Sequence, residues 1–158
     1  MIRDVHPGDF DAILALNAES ERFLSPLDRA RLKLLDRDSC YHRGIERDGR
    51  IAAFLLAFAQ DTAYDSPNFR WFAARYPQFV YVDRVVVDAT LQGQGIGKRL
   101  YEDVIDFARS REVPVVVCEF DLEPPNPSSR AFHARFGFRE VGTQVANGKT
   151  VSLQELAL

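Results

Sequence analysis

Apolar positions along this chain keep two different rhythms, and the changes between them mark its elements. Met1 to Val5 reads as a short strand closed by Pro7-Gly8. Asp9 then suits a helix N-cap, and Phe10, Ile13, Leu14 and Leu16 recur at the spacing of one helix face. A second helix is predicted over Leu27 to Leu35, with Pro26 near its start and Asp28 in its first turn. Tyr41 to Glu46 reads as a strand, and Asp48-Gly49 after it is a strong hairpin signal. Ile51 to Ala59 is apolar almost throughout. That pattern predicts a strand buried on both faces and antiparallel to the one before it.

Gln60 to Pro77 breaks the pattern, with Tyr64, Phe69, Trp71, Phe72 and Tyr76 set among polar residues. Two readings stay open here: a lid or binding wall, or a short helix over Phe69 to Ala74 packed on the core. Phe79 to Val87 alternates as a strand, with Tyr81 and Asp83 on one face and Arg84 on the other. Leu91 to Gly97 is a glycine-rich turn. Ile96, Leu100, Val104, Phe107 and Ala108 follow at helical spacing, with charged residues off that face. Val113 to Phe120 is a buried strand, Asp121 to Pro127 a proline-rich break, and Ser128 to Phe136 a helix closed by Gly137. Two last strands, Arg139 to Val145 and Thr150 to Ala157, flank the hairpin dipeptide Asn147-Gly148.

The length of 158 residues, with no repeat or linker, predicts one folding unit over residues 1 to 158. The net charge of −3 argues against nucleic acid or an anionic membrane surface as partner. No apolar run reaches transmembrane length, and the N-terminus lacks the layout of a signal peptide. Cys40 and Cys118 are too few for a disulfide framework, so a reducing cytoplasm is the expected location. Cys118 sits in an apolar run and reads as core, with a covalent nucleophile as the alternative. His6 and His42 have no second ligand at metal spacing, so no metal site is expected.

The chemistry concentrates in Val85-Val86-Val87-Asp88-Ala89-Thr90-Leu91-Gln92-Gly93-Gln94-Gly95-Ile96-Gly97-Lys98-Arg99, where a strand enters a glycine-rich turn that opens a helix. Such a turn lets backbone N–H groups converge on a phosphate, and the helix N-terminus adds partial positive charge there. Lys98 and Arg99 in the first helical turn are unfavourable to the helix itself, and a bound polyanion explains them. The nucleotide-hydrolase loop fails at both ends, because Gln92 stands where its first glycine belongs and Arg99 where its hydroxyl belongs. The dinucleotide fingerprint fails on its glycine spacing and on its position in mid-chain.

Gln92, Gly95 and Gly97 match the Gln/Arg-x-x-Gly-x-Gly/Ala signature, and the turn thereby resembles that of the GCN5-related N-acetyltransferase (GNAT) superfamily. Asn126, Phe132, Gly137 and Phe138 fall at the spacing of that family's later helix. The resemblance covers essentially the whole chain. It implies an α/β (α+β) fold: a mixed, mostly antiparallel sheet of about seven strands, helices on both faces, and a V-shaped splay between Phe79–Val87 and Val113–Phe120. Acetyl-CoA would lie in that splay as cosubstrate. Its pyrophosphate would sit on Gln92, Gly93, Gln94, Gly95, Ile96 and Gly97, beside Lys98 and Arg99. Its pantetheine arm would pair with Val85, Val86 and Val87 as an added strand. Asn126 and Ser129 would contact the arm or its thioester end.

The implied reaction is direct attack of a primary amine on the thioester. A backbone N–H near Val85 or Val86 would stabilise the oxyanion. Asp83 and Glu119 are the candidate bases, with Tyr81 orienting a water. An ion pair of Asp83 with a nearby Arg, and a solvated edge position for Glu119, are the structural alternatives. His133 stands where many relatives carry a Tyr acid. It is the candidate donor to the leaving thiolate, or else a structural helix histidine. Acceptor contacts are expected from Leu24–Asp38, from Asp61–Tyr76 with Asp61 and Asp65, and from the last hairpin. The resemblance also implies homodimers as a common state, with the last strand as the pairing edge. A coenzyme-binding module without turnover is the alternative function, and thiol release with an amine separates the two.

Overall fold

The computed structural model describes residues 1–21 and 24–158. Its strands are β1 (Ile2–Asp4), β2 (Tyr41–Arg47), β3 (Arg50–Ala59), β4 (Val80–Val87), β5 (Val115–Glu123), β6 (Arg139–Ala146) and β7 (Lys149–Ala157). They form a mixed seven-stranded sheet in the order β1-β2-β3-β4-β5-β7-β6. The helices are α1 (Phe10–Glu19), α2 (Arg29–Asp38), α3 (Pro67–Ala73), α4 (Ile96–Ser110) and α5 (Pro127–Phe136). Among the described residues no helix is long and apolar enough to cross a membrane. The chain groups into two compact units, Met1–Phe58 with Val82–Phe107, and Ala59–Tyr81 with Ala108–Leu158.

In the first unit the Asp48-Gly49 turn adopts positive φ at both residues (+52° and +79°), which joins β2 and β3 as an antiparallel hairpin. Successive side chains of β2 then face opposite ways. Tyr41 and Arg43 reach Asp103 of α4 at 2.7 and 2.9 Å, while His42 between them meets Asp36 of α2 at 2.7 Å. Helices therefore cover both faces of this hairpin, which is why β3 is an unbroken apolar run buried from Ile51 to Phe58. Phe10, Ile13 and Leu16 of α1 pack with Leu32, Phe54 and Val86 in one buried cluster. Asp9 occupies the N-cap position of α1 without capping it, because its carboxylate takes the Arg3 guanidinium and the His6 N–H instead. Helix α2 starts two residues later than expected, with Asp28 as its true N-cap accepting from the Arg31 N–H at 2.7 Å.

In the second unit β7 lies between β5 and β6 and is antiparallel to both. This corrects the expectation that the last strand is a pairing edge: the hairpin turn at Asn147-Gly148 folds β7 back inside, and β6 becomes the edge. Strand β5 runs on to Glu123, past the expected end at Phe120, because β7 pairs with it as far as Glu123↔Thr150. The aromatic segment folds as a helix on the core. Ser66 caps α3, and Tyr64, Phe69 and Phe72 are buried around Tyr81 with ring centroids 5.6–6.4 Å from it. Phe72 is fully buried, so Phe72→Ala is expected to cost about 3–5 kcal/mol in a urea denaturation with unchanged slope. A loss below about 1 kcal/mol would contradict this packing.

Candidate active site

In the first unit β4 delivers the chain to the glycine turn. The Asp88 N–H donates to the Ala52 carbonyl at 2.9 Å, and the Asp88 carboxylate accepts from the Thr90 N–H (2.9 Å) and hydroxyl (2.7 Å). These bonds wind Ala89–Leu91 into a 3-10 turn that the spacing of apolar residues did not reveal. The readable signal was Asp-x-Thr, a side-chain turn motif. Gly93 and Gly95 then adopt φ of +81° and +75°. A Cβ at either would meet no heavy atom within 4 Å, so the glycines answer a backbone requirement and the turn borders open space.

Helix α4 begins immediately after, at Ile96, and the Arg99 N–H donates to the Gly95 carbonyl at 3.1 Å. Buried Ile96, Leu100, Tyr101, Val104 and Ile105 anchor the helix by its apolar face. Gly97 lies in the first helical turn. Lys98 and Arg99 are exposed there, with the Lys98 ammonium 4.0 Å from the Glu102 carboxylate. The Gln92 amide nitrogen lies 3.5 Å from the Val87 carbonyl. Val86 is buried in the core cluster, while Val85 and Val87 on the other face of β4 are half-buried. The turn and the N-terminus of a fifteen-residue helix together supply the backbone donors and dipole suited to a phosphate.

Asp83 is ion-paired. Arg84 Nε donates to its carboxylate at 2.6 Å, and the two side chains are 6% and 3% exposed. Of the two readings open for Asp83, the ion pair is the one observed. Arg84 also donates to the Asn17 side chain (3.0 Å), the Ser25 carbonyl (3.2 Å) and the Ser25 hydroxyl (3.1 Å). This network around a buried guanidinium went unseen in the sequence, where its members lie 59 and 67 residues apart.

In the second unit Tyr81 and Glu119 meet. Strands β4 and β5 pair in parallel at Tyr81↔Val117, which places Glu119 two residues along the same face. The buried Tyr81 hydroxyl donates to Glu119 Oε1 at 2.6 Å. The face is walled by Tyr64, Phe69 and Phe72, which are therefore core rather than an exposed binding surface.

Helix α5 carries the other candidates. Asn126 is its N-cap, accepting from the Ser129 N–H at 3.3 Å. His133 is 4% exposed among Phe120, Phe132 and Phe138, with ring centroids 5.3–5.6 Å away. Its Nδ1 lies 2.7 Å from the Ser129 carbonyl, an acceptor only, so Nδ1 carries the proton. Burial holds its pKa below the ordinary histidine value, and the bond to Ser129 opposes that only in part.

The unfolded chain therefore binds a proton at His133 at higher pH than the folded one. Stability from this group is complete above about pH 6.5 and falls as pH drops below it. His133→Phe is expected to flatten the fall in melting temperature between pH 7.5 and 5.5. An unchanged slope would contradict the buried neutral imidazole. Cys118 is buried core, and among the described residues no three His, Cys, Asp or Glu side chains are grouped to hold a metal.

Comparison with known proteins agrees with this architecture. The chain belongs to the acetyltransferase (GNAT) family, whose profile matches residues 10–138. The N-alpha-acetyltransferase RimI of Mycobacterium tuberculosis is 36% identical over 69 residues, which cover 43% of this chain and 40% of that protein. The match thus spans about two fifths of that relative. Among solved structures, the ribosomal-protein-alanine N-acetyltransferase from Brucella melitensis superposes with a TM-score of 0.75 at 24% identity, over 100% of this chain and 99% of the other. The yncA protein of Salmonella typhimurium, described as a putative acetyltransferase with its cofactor acetyl-CoA, gives 0.71 at 20% identity over 100% and 93%.

Proposed function

We propose that this protein is an acetyl-CoA-dependent N-acetyltransferase, a single domain that transfers acetyl to a primary amine by direct attack. The observation that carries the reading is the open turn with left-handed Gly93 and Gly95 at the head of α4. Its N–H groups suit a diphosphate, and exposed Lys98 and Arg99 suit the remaining negative charge. The Val85–Val87 stretch, with Val85 and Val87 half-buried, suits an arm that pairs as an added strand. The acetyl-CoA named with the yncA structure supports the same cosubstrate.

In this reading Glu119, held by the Tyr81 hydroxyl, takes the proton from the attacking ammonium. The amine forms the C–N bond, the C–S bond breaks, coenzyme A leaves as its thiolate, and the second proton on the acetylated nitrogen passes to solvent, which leaves the neutral amide. Asp83 serves as the counter-ion of Arg84. For His133 the burial, the engaged Nδ1–H and the lowered pKa support the structural alternative: it fixes α5 through Ser129, and the thiolate takes its proton from solvent. Asn126 and Ser129 then offer side chains at the head of α5 to the pantetheine arm. The test is thiol release from acetyl-CoA across a panel of peptide N-termini, lysine peptides, small amines and aminoglycosides. Release with one acceptor class supports the enzyme. Coenzyme binding without release across the panel would favour a binding module instead.

A further inference from the structure

The buried guanidinium of Arg84 is attached to an exposed surface segment at Ser25. A buried charge is costly unless its hydrogen bonds are met. Here one N–H goes to Asp83, and others go to Asn17, the Ser25 carbonyl and the Ser25 hydroxyl. Asn17 also donates to the Ser25 carbonyl at 3.2 Å, so α1 and β4 grip the same peptide group. Ser25 and Pro26 are exposed, while Leu24 and Leu27 on either side pack against the cluster that contains Val86. The Leu24–Leu27 segment is thus tied to β4 twice, by polar bonds at Arg84 and by apolar packing at Val86. Both residues adjoin Val85, in the stretch assigned above to the pantetheine arm.

We propose that Arg84 is a positioning residue that transmits the order of β4 to the Leu24–Leu27 segment, so that the segment offered to the acceptor amine is set when coenzyme binds. The inference rests on the coenzyme reading of the preceding section. An arm paired with Val85–Val87 restricts β4, and the Arg84 fork passes that restriction to Ser25. No acceptor need be known for the test.

Hydrogen exchange is followed in peptides covering residues 24–28 and 93–100, with and without saturating coenzyme A. In the wild type, coenzyme A is expected to slow exchange at 24–28 by about 5-fold or more. Ser25→Thr keeps the hydroxyl and should keep that response. Ser25→Ala, which leaves the Arg84 bonds to Asp83, Asn17 and the Ser25 carbonyl in place, should reduce it to about 2-fold or less, and Arg84→Gln should remove it. Protection at 93–100 should persist in all of them. A purely structural Arg84 would change exchange at 24–28 equally with and without coenzyme. If 93–100 is protected but 24–28 does not respond in the wild type, or responds fully in Ser25→Ala and Arg84→Gln, the inference falls alone. If 93–100 gains no protection in the wild type, the coenzyme reading falls and takes the inference with it.

Discussion

Gly95→Val is expected to abolish stabilisation by coenzyme A while the apoprotein stays folded. Gly95 has φ +75°, and a β-branched residue held there costs about 1–3 kcal/mol. No atom lies within 4 Å of the position its Cβ would take, so no clash adds to that strain. The variant escapes the strain by rotating the backbone, and the rotation turns the neighbouring N–H groups away from the anion. For the wild type, coenzyme at about 100 times its dissociation constant adds about 2.7 kcal/mol. In a chain of 158 residues that is a rise in melting temperature of about 5–10 °C. The variant should rise by less than about 2 °C. A full shift in Gly95→Val would show that the turn does not seat the diphosphate.

Glu119→Gln should lower kcat by about 10²–10⁴-fold and leave the KM for acetyl-CoA unchanged. The amide has nearly the shape of the carboxylate, and its oxygen still accepts the Tyr81 hydroxyl, so the aromatic wall stays in place. What is lost is the ability to take a proton from an ammonium. Tyr81→Phe removes one hydrogen bond and keeps the base, and should cost about 10-fold or less. Kinetics with the acceptor found by thiol release would decide this. A kcat for Glu119→Gln within about 3-fold of wild type would move the base elsewhere.

What the sequence made legible were the features written in local periodicity and backbone need. The hairpins at Asp48-Gly49 and Asn147-Gly148, the apolar face of α4 and the Gly93–Gly95 turn all depend on residues close in the chain. The ends of elements were less legible. Strand β5 continues through Asp121 and Glu123 because β7 pairs with them, and polar residues there gave no sign of it. Asp9 held the cap position but was claimed by Arg3, a competition that only the fold reveals.

The candidate site divides the same way. Its glycine turn was readable, because left-handed glycine leaves a mark in composition. The side-chain pairings were not. Tyr81 with Glu119 depends on the parallel register of β4 and β5, and Arg84 with Asn17 and Ser25 depends on where α1 returns. His133 was readable as a polar residue on a helix. Its aromatic surroundings come from Phe120 on β5 and Phe138 beyond the helix end, so its burial and lowered pKa required the structure.

Calorimetric titration with coenzyme A beside pantetheine tests the whole account most directly. The two share the thiol arm, and only the first carries the diphosphate. If the Gln92–Gly97 turn is an anion seat, coenzyme A binds at least about 100-fold more tightly, a difference of about 2.7 kcal/mol. Equal affinity for the two, or no binding of coenzyme A at millimolar concentration, would contradict it.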